Sequence, residues 1–492
     1  MSGIQESFRG STILVTGATG FLGQLMVEKL LRTCSNLDMI YVLVRPKKGK
    51  NEEDRLKQIF DGHLFEPLKK LRPDFLSKVR LICGDCRNPC LGLSAEDVNL
   101  LKQKLNFIFH IAATVRFDQH IHTAYDINVG ATVDLIQIAK EAQNLKAFVH
   151  ISTAYSNCPR KVIDECFYEP SMRWRELRQL VDSLDDESLS ALTPLIIDKW
   201  PNTYSFTKCL AEDAIRDLGK DLPIAIVRPS VVVSTAKEPL SNWINNVYGA
   251  GGVAAGAAVG LIRVMRADEK NVMDIVPADY VINSSIAAAW EVTSSRPSDP
   301  IILNYVSSTQ RPITFGQYMK DLKCTMYVPA LFCMWYYFLT LESQRLVYNV
   351  YSFFLHTIPA LIADFIAVVL RKQPRLIKGY MKVHKFIDVI AYFAVQEWSF
   401  NNNNVQTLWK KLSEEDKKLF NFDISGLEWD VFLFHMLRGV RLYTIGETFE
   451  TLEKAKAHYF RLKVIHFSVV YAVQLLLLWT TYQLLKYTYS IL

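Results

Sequence analysis

The stretch NTYSFTKCLAE (202–212) holds a tyrosine and a lysine four positions apart. On a helix this spacing sets Tyr204 and Lys208 on one face, about one turn from each other, where the lysine ammonium can help the phenol give up a proton. The same spacing recurs at Tyr459/Lys463 and at Tyr482/Lys486, so the pattern needs context before it means chemistry. The strongest context lies near the N-terminus. In TGATGFLG (16–23), Gly17, Gly20 and Gly23 follow a G-x-x-G-x-x-G pattern between a short apolar run and an amphipathic one. Glycines there permit a tight turn and close backbone approach to a pyrophosphate, which then lies on the exposed N–H groups and positive dipole end of the next helix. About twenty residues further on, an NAD-binding fold usually carries an acid that grips the ribose 2′-hydroxyl. Here the second apolar run ends LVRPKKGK, with no carboxylate. Arg45, Lys47 and Lys48 place positive charge where a 2′-phosphate would lie, which favours NADPH over NADH; a solvated basic loop is the plainer alternative.

The elements that must position these residues are legible as alternating runs. STILVTG (11–17), MIYVLVR (39–45), VRLICGD (79–85), FIFHIAA (107–113), AFVHIST (147–153) and IAIVRPS (224–230) read as short buried strands bounded by turn-forming residues. FLGQLMVEKLLRTC (21–34) reads as a helix with apolar residues at steps of three and four. Strands alternating with helices predict βαβ units and a doubly wound parallel α/β sheet. At 492 residues the chain exceeds one compact core. From about residue 310 the texture changes to two uncharged aromatic-rich stretches (324–341 and 346–363), a basic patch over 371–385, and a polar helical region ending near FHMLRGVRLYTIGE (434–447). Residues 464–485 then run without a formal charge, enough for a helix of roughly 33 Å, about one bilayer core. Basic residues crowd its N-terminal side and only Lys486 follows closely, which predicts a single-pass anchor with the body in the cytosol. Pro359 and the polar Asn349, Ser352 and His356 make buried helices or an interfacial hairpin as reasonable for the earlier stretches as a spanning pair.

Half the residues are hydrophobic and the net charge is +6. That balance suits a membrane surface or an acidic ligand and, without a dense basic face, argues against nucleic acid. The nine cysteines are scattered and the first ten residues are polar, so free thiols in a reducing compartment are expected. Cys83, Cys86 and Cys90 lack a second pair at zinc spacing, and no metal site is expected. GAGGVAAGAAVG (249–260) lacks the G-K-[ST] of a Walker loop. Its small residues would leave room for an acyl chain or let the backbone bend, and Arg263 and Arg266 after it are candidates for phosphate contact.

The glycine turn and the Tyr/Lys pair together resemble the extended form of the short-chain dehydrogenase/reductase superfamily. With HISTAYSN (150–157), PNTYSFTKCLAE (201–212), VRPSVV (227–232), DIVPADYVIN (274–283) and the late LEWDVFLFHMLRGVRLY, the chain is similar to alcohol-forming fatty acyl-CoA reductases and their C-terminal male-sterility domain. The match runs from about residue 11 to 450. The resemblance implies a general acid at Tyr204, a ribose-binding partner at Lys208, and a carbonyl-holding hydroxyl at Thr153, with Ser152 as its neighbouring candidate. It likewise implies a phosphate turn of Gly17, Thr19, Gly20, Phe21, Leu22 and Gly23, a 2′-phosphate contact at Arg45 and an adenine contact at Asp85. Ala112 and Ala113 would form a short turn beneath the cofactor. Hydride arriving at a thioester carbonyl leaves an oxyanion that Thr153 can bind and Tyr204 can protonate. The hemithioacetal then expels the thiolate of coenzyme A, and a second reduction in the same site turns the aldehyde into an alcohol. A nearby ammonium and an oxidised nicotinamide are expected to lower the phenol's pKa from its usual value near 10. The long insert between Thr153 and Tyr204 reads as charged and helical, either part of a lid or a surface excursion.

The expected organisation is a reductase domain over 10–300, hydrophobic connecting helices over 301–370, a male-sterility-type helical domain over 371–455 and a transmembrane helix over 464–485. The expected function is NADPH-dependent reduction of long-chain fatty acyl-CoA to primary alcohol at a membrane, the endoplasmic reticulum ahead of the peroxisome. The rivals are another membrane-bound extended reductase acting on a sterol or sugar nucleotide, and a non-catalytic NADP-binding scaffold. Chain-length preference and oligomeric state are not read from the sequence.

Overall fold

A computed structural model describes residues 2–45, 52–246 and 248–491 of the chain; Lys47 and Lys48 lie outside them. Seven strands form one parallel sheet: β1 (Thr12–Thr16), β2 (Met39–Val44), β3 (Val79–Cys83), β4 (Phe107–His110), β5 (Ala147–Ile151), β6 (Ile224–Pro229) and β7 (Ile301–Tyr305). Their spatial order is β7-β6-β5-β4-β1-β2-β3, with Val15 of β1 opposite Val42 on one side and Phe109 on the other. Every residue of β1, β4, β5 and β6 is buried, which is why these strands read as unbroken apolar runs rather than as alternating ones. The strand order reverses between β1 and β4. Connections leave the two carboxyl ends in opposite directions there, and the crevice between them is where a doubly wound sheet takes its ligand. Six strands fall on the six runs expected from the sequence. β7 was not among them, because its five residues match any short apolar segment and only pairing with β6 makes them a strand.

The chain forms two compact units, one of Met1–Ile244, Val272–Ile313 and Gln396–Leu427, the other of Asn245–Asn271, Thr314–Val395 and Glu428–Leu492. They interleave in sequence and so cut across the consecutive segments 10–300, 301–370 and 371–455. The physical reason is that late residues complete the sheet unit: Ser399–Phe400 pairs in parallel with Val162–Ile163, and Asn404 Nδ2 donates to the Ile302 carbonyl at 2.8 Å.

In the second unit the stretch 324–341 is not a helix. A 3-10 turn (Leu322–Tyr327) gives way to irregular backbone and a two-residue strand at Thr340–Leu341 that pairs with Val264–Met265. Pro329 has no N–H to continue a helix, and the next amides bond elsewhere: Leu331 to the Glu447 carboxylate at 2.8 Å and Met334 to the Val259 carbonyl at 2.9 Å. After α1 (Phe21–Thr33) and α2 (Thr203–Leu218) of the sheet unit, the following stretch of the second unit does form α3 (Arg345–Ser352), a π-helical turn (Phe353–Thr357) and α4 (Ile358–Val369), and the basic patch leads into α5 (Leu376–Ala394). The chain closes on α6 (Leu452–Ile491). The helical segments Arg345–Val369 and Phe449–Ser490 are each long and apolar enough to cross a membrane by length and composition.

Candidate active site

The glycine turn joins β1 to the helix Phe21–Thr33. Gly17 has φ +71° and lies so close to the chain after β4 that a Cβ would stand 2.7 Å from the Ala112 nitrogen. A Cβ at Gly23 would meet the Gly17 carbonyl oxygen at 2.0 Å. Both positions are closed to any side chain, and the turn is thereby held tight against the start of its helix. Gly20 caps that helix without a side-chain hydrogen bond, so no side chain of the cap competes for the first-turn N–H groups. Phe21 stacks on Trp243 at 5.3 Å, and the Thr19 carbonyl accepts from Gln24 Nε2 at 3.0 Å; Leu22 is half-buried. This is a backbone cradle of the kind a pyrophosphate needs, and the chain's own residues fit a dinucleotide there.

The neighbouring strand ends carry the remaining candidates. Thr16 Oγ1 accepts from the amides of Ile111 and Ala112, each at 3.2 Å, and pairs with His110 Nδ1 at 2.8 Å. This fixes the Ala112–Ala113 turn beside Gly17. Burial and the nearby Lys208 charge push His110 down to about 3, so it serves as a neutral link between Thr16 and Thr132 (3.0 Å). Arg45 directly follows β2. Asp85, two residues past β3, pairs with Arg87 at 2.7 Å; burial works to raise its carboxyl, but the Arg87 hydrogen bonds and the Arg45 charge hold it below the usual carboxylate range.

Tyr204 and Lys208 lie on the helix Thr203–Leu218, whose cap, Asn202, accepts from the Ser205 amide at 2.8 Å. The Tyr204 hydroxyl faces Thr153, just past β5, closely enough for the Thr153 side chain to lower the phenol's pKa, and its ring stacks on Phe117 at 5.7 Å. Lys208 is buried, and its Nζ donates to the Ile151 carbonyl at the end of β5 at 2.7 Å. Tyr204, Lys208 and Thr153 therefore meet at the carboxyl ends of β4 and β5, on the side of the sheet where the glycine turn opens. The expected drop in the phenol's pKa rests on the ammonium and on an oxidised nicotinamide together; in the protein alone the shift is upward. Burial pushes Tyr204 up to about 12 against the lowering effect of the Thr153 side chain, and burial also brings Lys208 down to about 8, with Glu212 opposing. The ammonium points at a backbone carbonyl, and the phenol gains nothing from it.

Several residues that hold this arrangement were missed in the sequence. Glu212, one further turn along the Tyr/Lys helix, accepts from Ser152 Oγ at 2.5 Å, Ser156 Oγ at 3.0 Å and Arg228 Nη2 at 2.6 Å, all buried. Ser152 is thereby engaged by Glu212. Arg228 of β6 is completely buried and also donates to the carbonyls of Asp164 (3.0 Å) and Cys166 (2.9 Å), which fastens the long insert to the sheet. The insert carries the helices Trp174–Ser183 and Asp186–Ile196. Asn128, in a π-helical turn, accepts from the Thr114 amide at 2.9 Å and donates to Thr207 Oγ1 at 2.9 Å, tying the post-β4 turn to the Tyr/Lys helix. The available signals were an arginine inside the apolar run IAIVRPS, a carboxylate four residues after Lys208, and an asparagine inside DINVG. Arg263, a candidate for phosphate contact, is instead engaged within the second unit: it donates to the carbonyls of Gly260 and Leu355, each at 3.0 Å, and lies over the Trp335 ring.

Comparison with known proteins places this chain in a family. Two family models, both described as male sterility protein, match residues 15–285 and 355–447, the first being an NAD-binding one. The protein named fatty acyl-CoA reductase wat of Drosophila melanogaster is 38% identical over 99% of this chain and 94% of its own. Fatty acyl-CoA reductase 1 of Rattus norvegicus is 36% identical over 95% of this chain and 91% of its own. The chain belongs to the fatty acyl-CoA reductase family. Among solved structures, the reductase domain of a non-ribosomal peptide synthetase from Mycobacterium tuberculosis matches with TM-score 0.57 at 17% identity, over 90% of this chain and 96% of that one. The terminal R domain of the myxalamid biosynthetic pathway matches with TM-score 0.56 at 16% identity, over 88% and 91%. Both share the doubly wound fold with this fatty acyl-CoA reductase family member, whose nicotinamide-nucleotide domain corresponds to the first family match.

Proposed function

We propose that the protein reduces long-chain fatty acyl-CoA to the primary alcohol with NADPH, through a bound aldehyde and with release of coenzyme A. The observation that carries this reading is the meeting of Thr153, Tyr204 and Lys208 beside the glycine cradle, in a chain related over nearly its whole length to fatty acyl-CoA reductases. Gly17, Thr19, Gly20, Phe21, Leu22 and Gly23 would hold the cofactor's pyrophosphate, Ala112 and Ala113 would floor the site, and Asp85 would meet the adenine. Arg45 supports the choice of NADPH, as a cation standing where NAD binders carry an acid. The bound cofactor supplies hydride. Thr153 donates a hydrogen bond to the oxygen that becomes negative, and Tyr204, protonated at neutral pH, hands that oxygen its proton. Lys208 positions the cofactor's ribose and keeps a positive charge beneath the site. No cysteine nucleophile is required, so the free thiols stay outside the chemistry.

Membrane attachment through α6 belongs to the same proposal. Arg438, Arg441, Lys454, Lys456, Arg461 and Lys463 precede its apolar span and Lys486 follows it, which favours a cytosolic body on the endoplasmic reticulum rather than the peroxisome. The test is incubation of the full chain in microsomes with acyl-CoAs of graded length and either NADPH or NADH, with products read by gas chromatography. Fatty alcohol formed with NADPH supports the proposal. Absence of alcohol and aldehyde at every chain length, alongside turnover of a 3-hydroxysteroid, would replace it with a sterol oxidoreductase.

A further inference from the structure

The segment α3–π-turn–α4 turns its polarity inside out. Tyr348, Ser352, His356 and Ala360, at steps of four, form its buried face. Three of these four carry polar groups, and they are met by α5: the His356 ring stacks on Tyr380 at 4.8 Å, and Ser352 and His356 lie 3.0 and 3.1 Å from His384 Nε2. His356 Nε2 also accepts the Arg263 amide at 2.9 Å. The opposite side carries Leu346, Val350, Phe354, Leu361, Phe365 and Val369, at steps of four and seven, each at least half exposed. A water-facing helix distributes its residues the other way round.

Chain connectivity decides how such a helix can meet a bilayer. Residues on both sides of it belong to the sheet unit. Ile313 accepts the Met273 amide at 2.8 Å, and Phe400 is paired with Ile163. That unit is one folded body, so the chain between Ile313 and Gln396 must begin and end on the same side of any membrane. A single crossing by Arg345–Val369 is excluded, and a return crossing would fall to α5, which carries Lys378, Lys382, Lys385 and Asp388 in 19 residues. Charges of that density do not enter a hydrocarbon core. The turn between α4 and α5 holds exposed Arg371, Lys372 and Arg375, and Lys378, Lys382 and Lys385 continue on one exposed side of α5. Lipid headgroups of anionic type complement this charge.

We infer that α3–α4 lies in the plane of the cytosol-facing leaflet, its Leu/Val/Phe side in the acyl region and the basic turn and α5 lysines at anionic headgroups, as a second membrane contact that does not span. The cytosolic orientation rests on the anchor proposed for α6, while the in-plane geometry rests on connectivity, the charges of α5 and the exposed apolar side. The test uses the full chain in microsomes. A photoreactive benzoylphenylalanine replaces Phe365, Leu477 of α6 or the exposed Leu195 of the sheet unit, and in separate variants an N-glycosylation acceptor is inserted after Gln373 or appended on a linker after Leu492. We expect lipid adducts at Phe365 about tenfold above those at Leu195, with the acceptor after Gln373 unmodified and the appended one glycosylated. Glycosylation after Gln373 would show a crossing and overturn the inference. So would adducts at Leu477 with none at Phe365. An unmodified appended acceptor together with no adducts at Leu477 would instead remove the anchor, and adducts at Phe365 would still decide the in-plane helix by themselves.

Discussion

Burial pushes the Tyr204 phenol up to about 12, and a phenol that keeps its proton at neutral pH fits the acid role proposed for it. It suits delivery of a proton to an oxyanion better than abstraction of one, which is the direction a reductase needs. In the proposed mechanism the group that titrates nearest neutrality is Lys208. Burial lowers its ammonium to about 8, so the positive charge present at pH 7 is lost as pH rises through that value. We predict that kcat falls above about pH 8 with no limb from Tyr204 until far more alkaline conditions; a profile flat to about pH 10 would contradict the assignment to Lys208. The two adjacent hydroxyls separate cleanly. Thr153→Ala should reduce kcat by roughly 10²–10³ with little change in melting temperature. Ser152→Ala removes a donor from the buried Glu212 carboxylate and should cost about 1–3 kcal/mol of stability with kcat nearly intact. Steady-state kinetics beside denaturant titration distinguish them. Spacing and context single out Tyr204 and Lys208, and the structure sets both on one helix with Lys208 against the end of β5. The direction of the phenol's shift was not legible, because it depends on burial and on where the lysine's three donors point, and neither is written in an i, i+4 pattern.

At the scale of elements, the site is a set of strand ends fastened together. The glycine turn was legible because its constraint is steric and local: Gly17 needs positive φ and both Gly17 and Gly23 have backbone where a Cβ would be. Gly17→Ala should abolish NADPH binding in a fluorescence titration, through a left-handed backbone penalty of about 1–2 kcal/mol added to displacement of the Ala112 turn. Retained binding would show that the cradle is not the phosphate site. The Glu212–Arg228 pair joins the Tyr/Lys helix, β6 and the insert, and such long-range polar ties leave almost no trace in sequence. Glu212→Gln leaves a completely buried guanidinium without its countercharge and should destabilise the protein by about 3–5 kcal/mol. Glu212→Leu combined with Arg228→Met should recover much of that loss. Equal instability of the single and double variants would mean that the pair's hydrogen bonds to Ser152 and the insert matter more than its charge. Strand β7 escaped sequence analysis for a comparable reason. Its five residues match any short apolar segment, and only pairing with β6 makes them a strand.

Over the whole molecule, composition gave the broad outline and connectivity gave the rest. A hydrophobic half of the residues and an uncharged run near the C-terminus pointed to a bilayer, and α6 is a continuous helix through that run. Segment boundaries drawn along the sequence did not anticipate two interleaved units, because periodicity reports local structure and says nothing of which distant segment completes a sheet. If α6 is the anchor, replacing Leu476 and Leu478 by arginine costs about 2.5–3.5 kcal/mol per charge at the span centre and should move the protein into the supernatant of a carbonate extraction. Full retention would place the attachment elsewhere.

The central claim is that one site with Tyr204 as acid carries hydride twice from NADPH to the thioester carbon. It is tested most directly by giving the membrane-bound full chain palmitoyl-CoA with NADPH dideuterated at C4 of the nicotinamide, and reading the product by mass spectrometry. The account predicts hexadecanol with both C1 hydrogens replaced by deuterium, and a rate lowered by about 10²–10⁴ in Tyr204→Phe at unchanged thermal stability. Alcohol with fewer than two deuteriums at C1, or an undiminished rate in Tyr204→Phe, would contradict it.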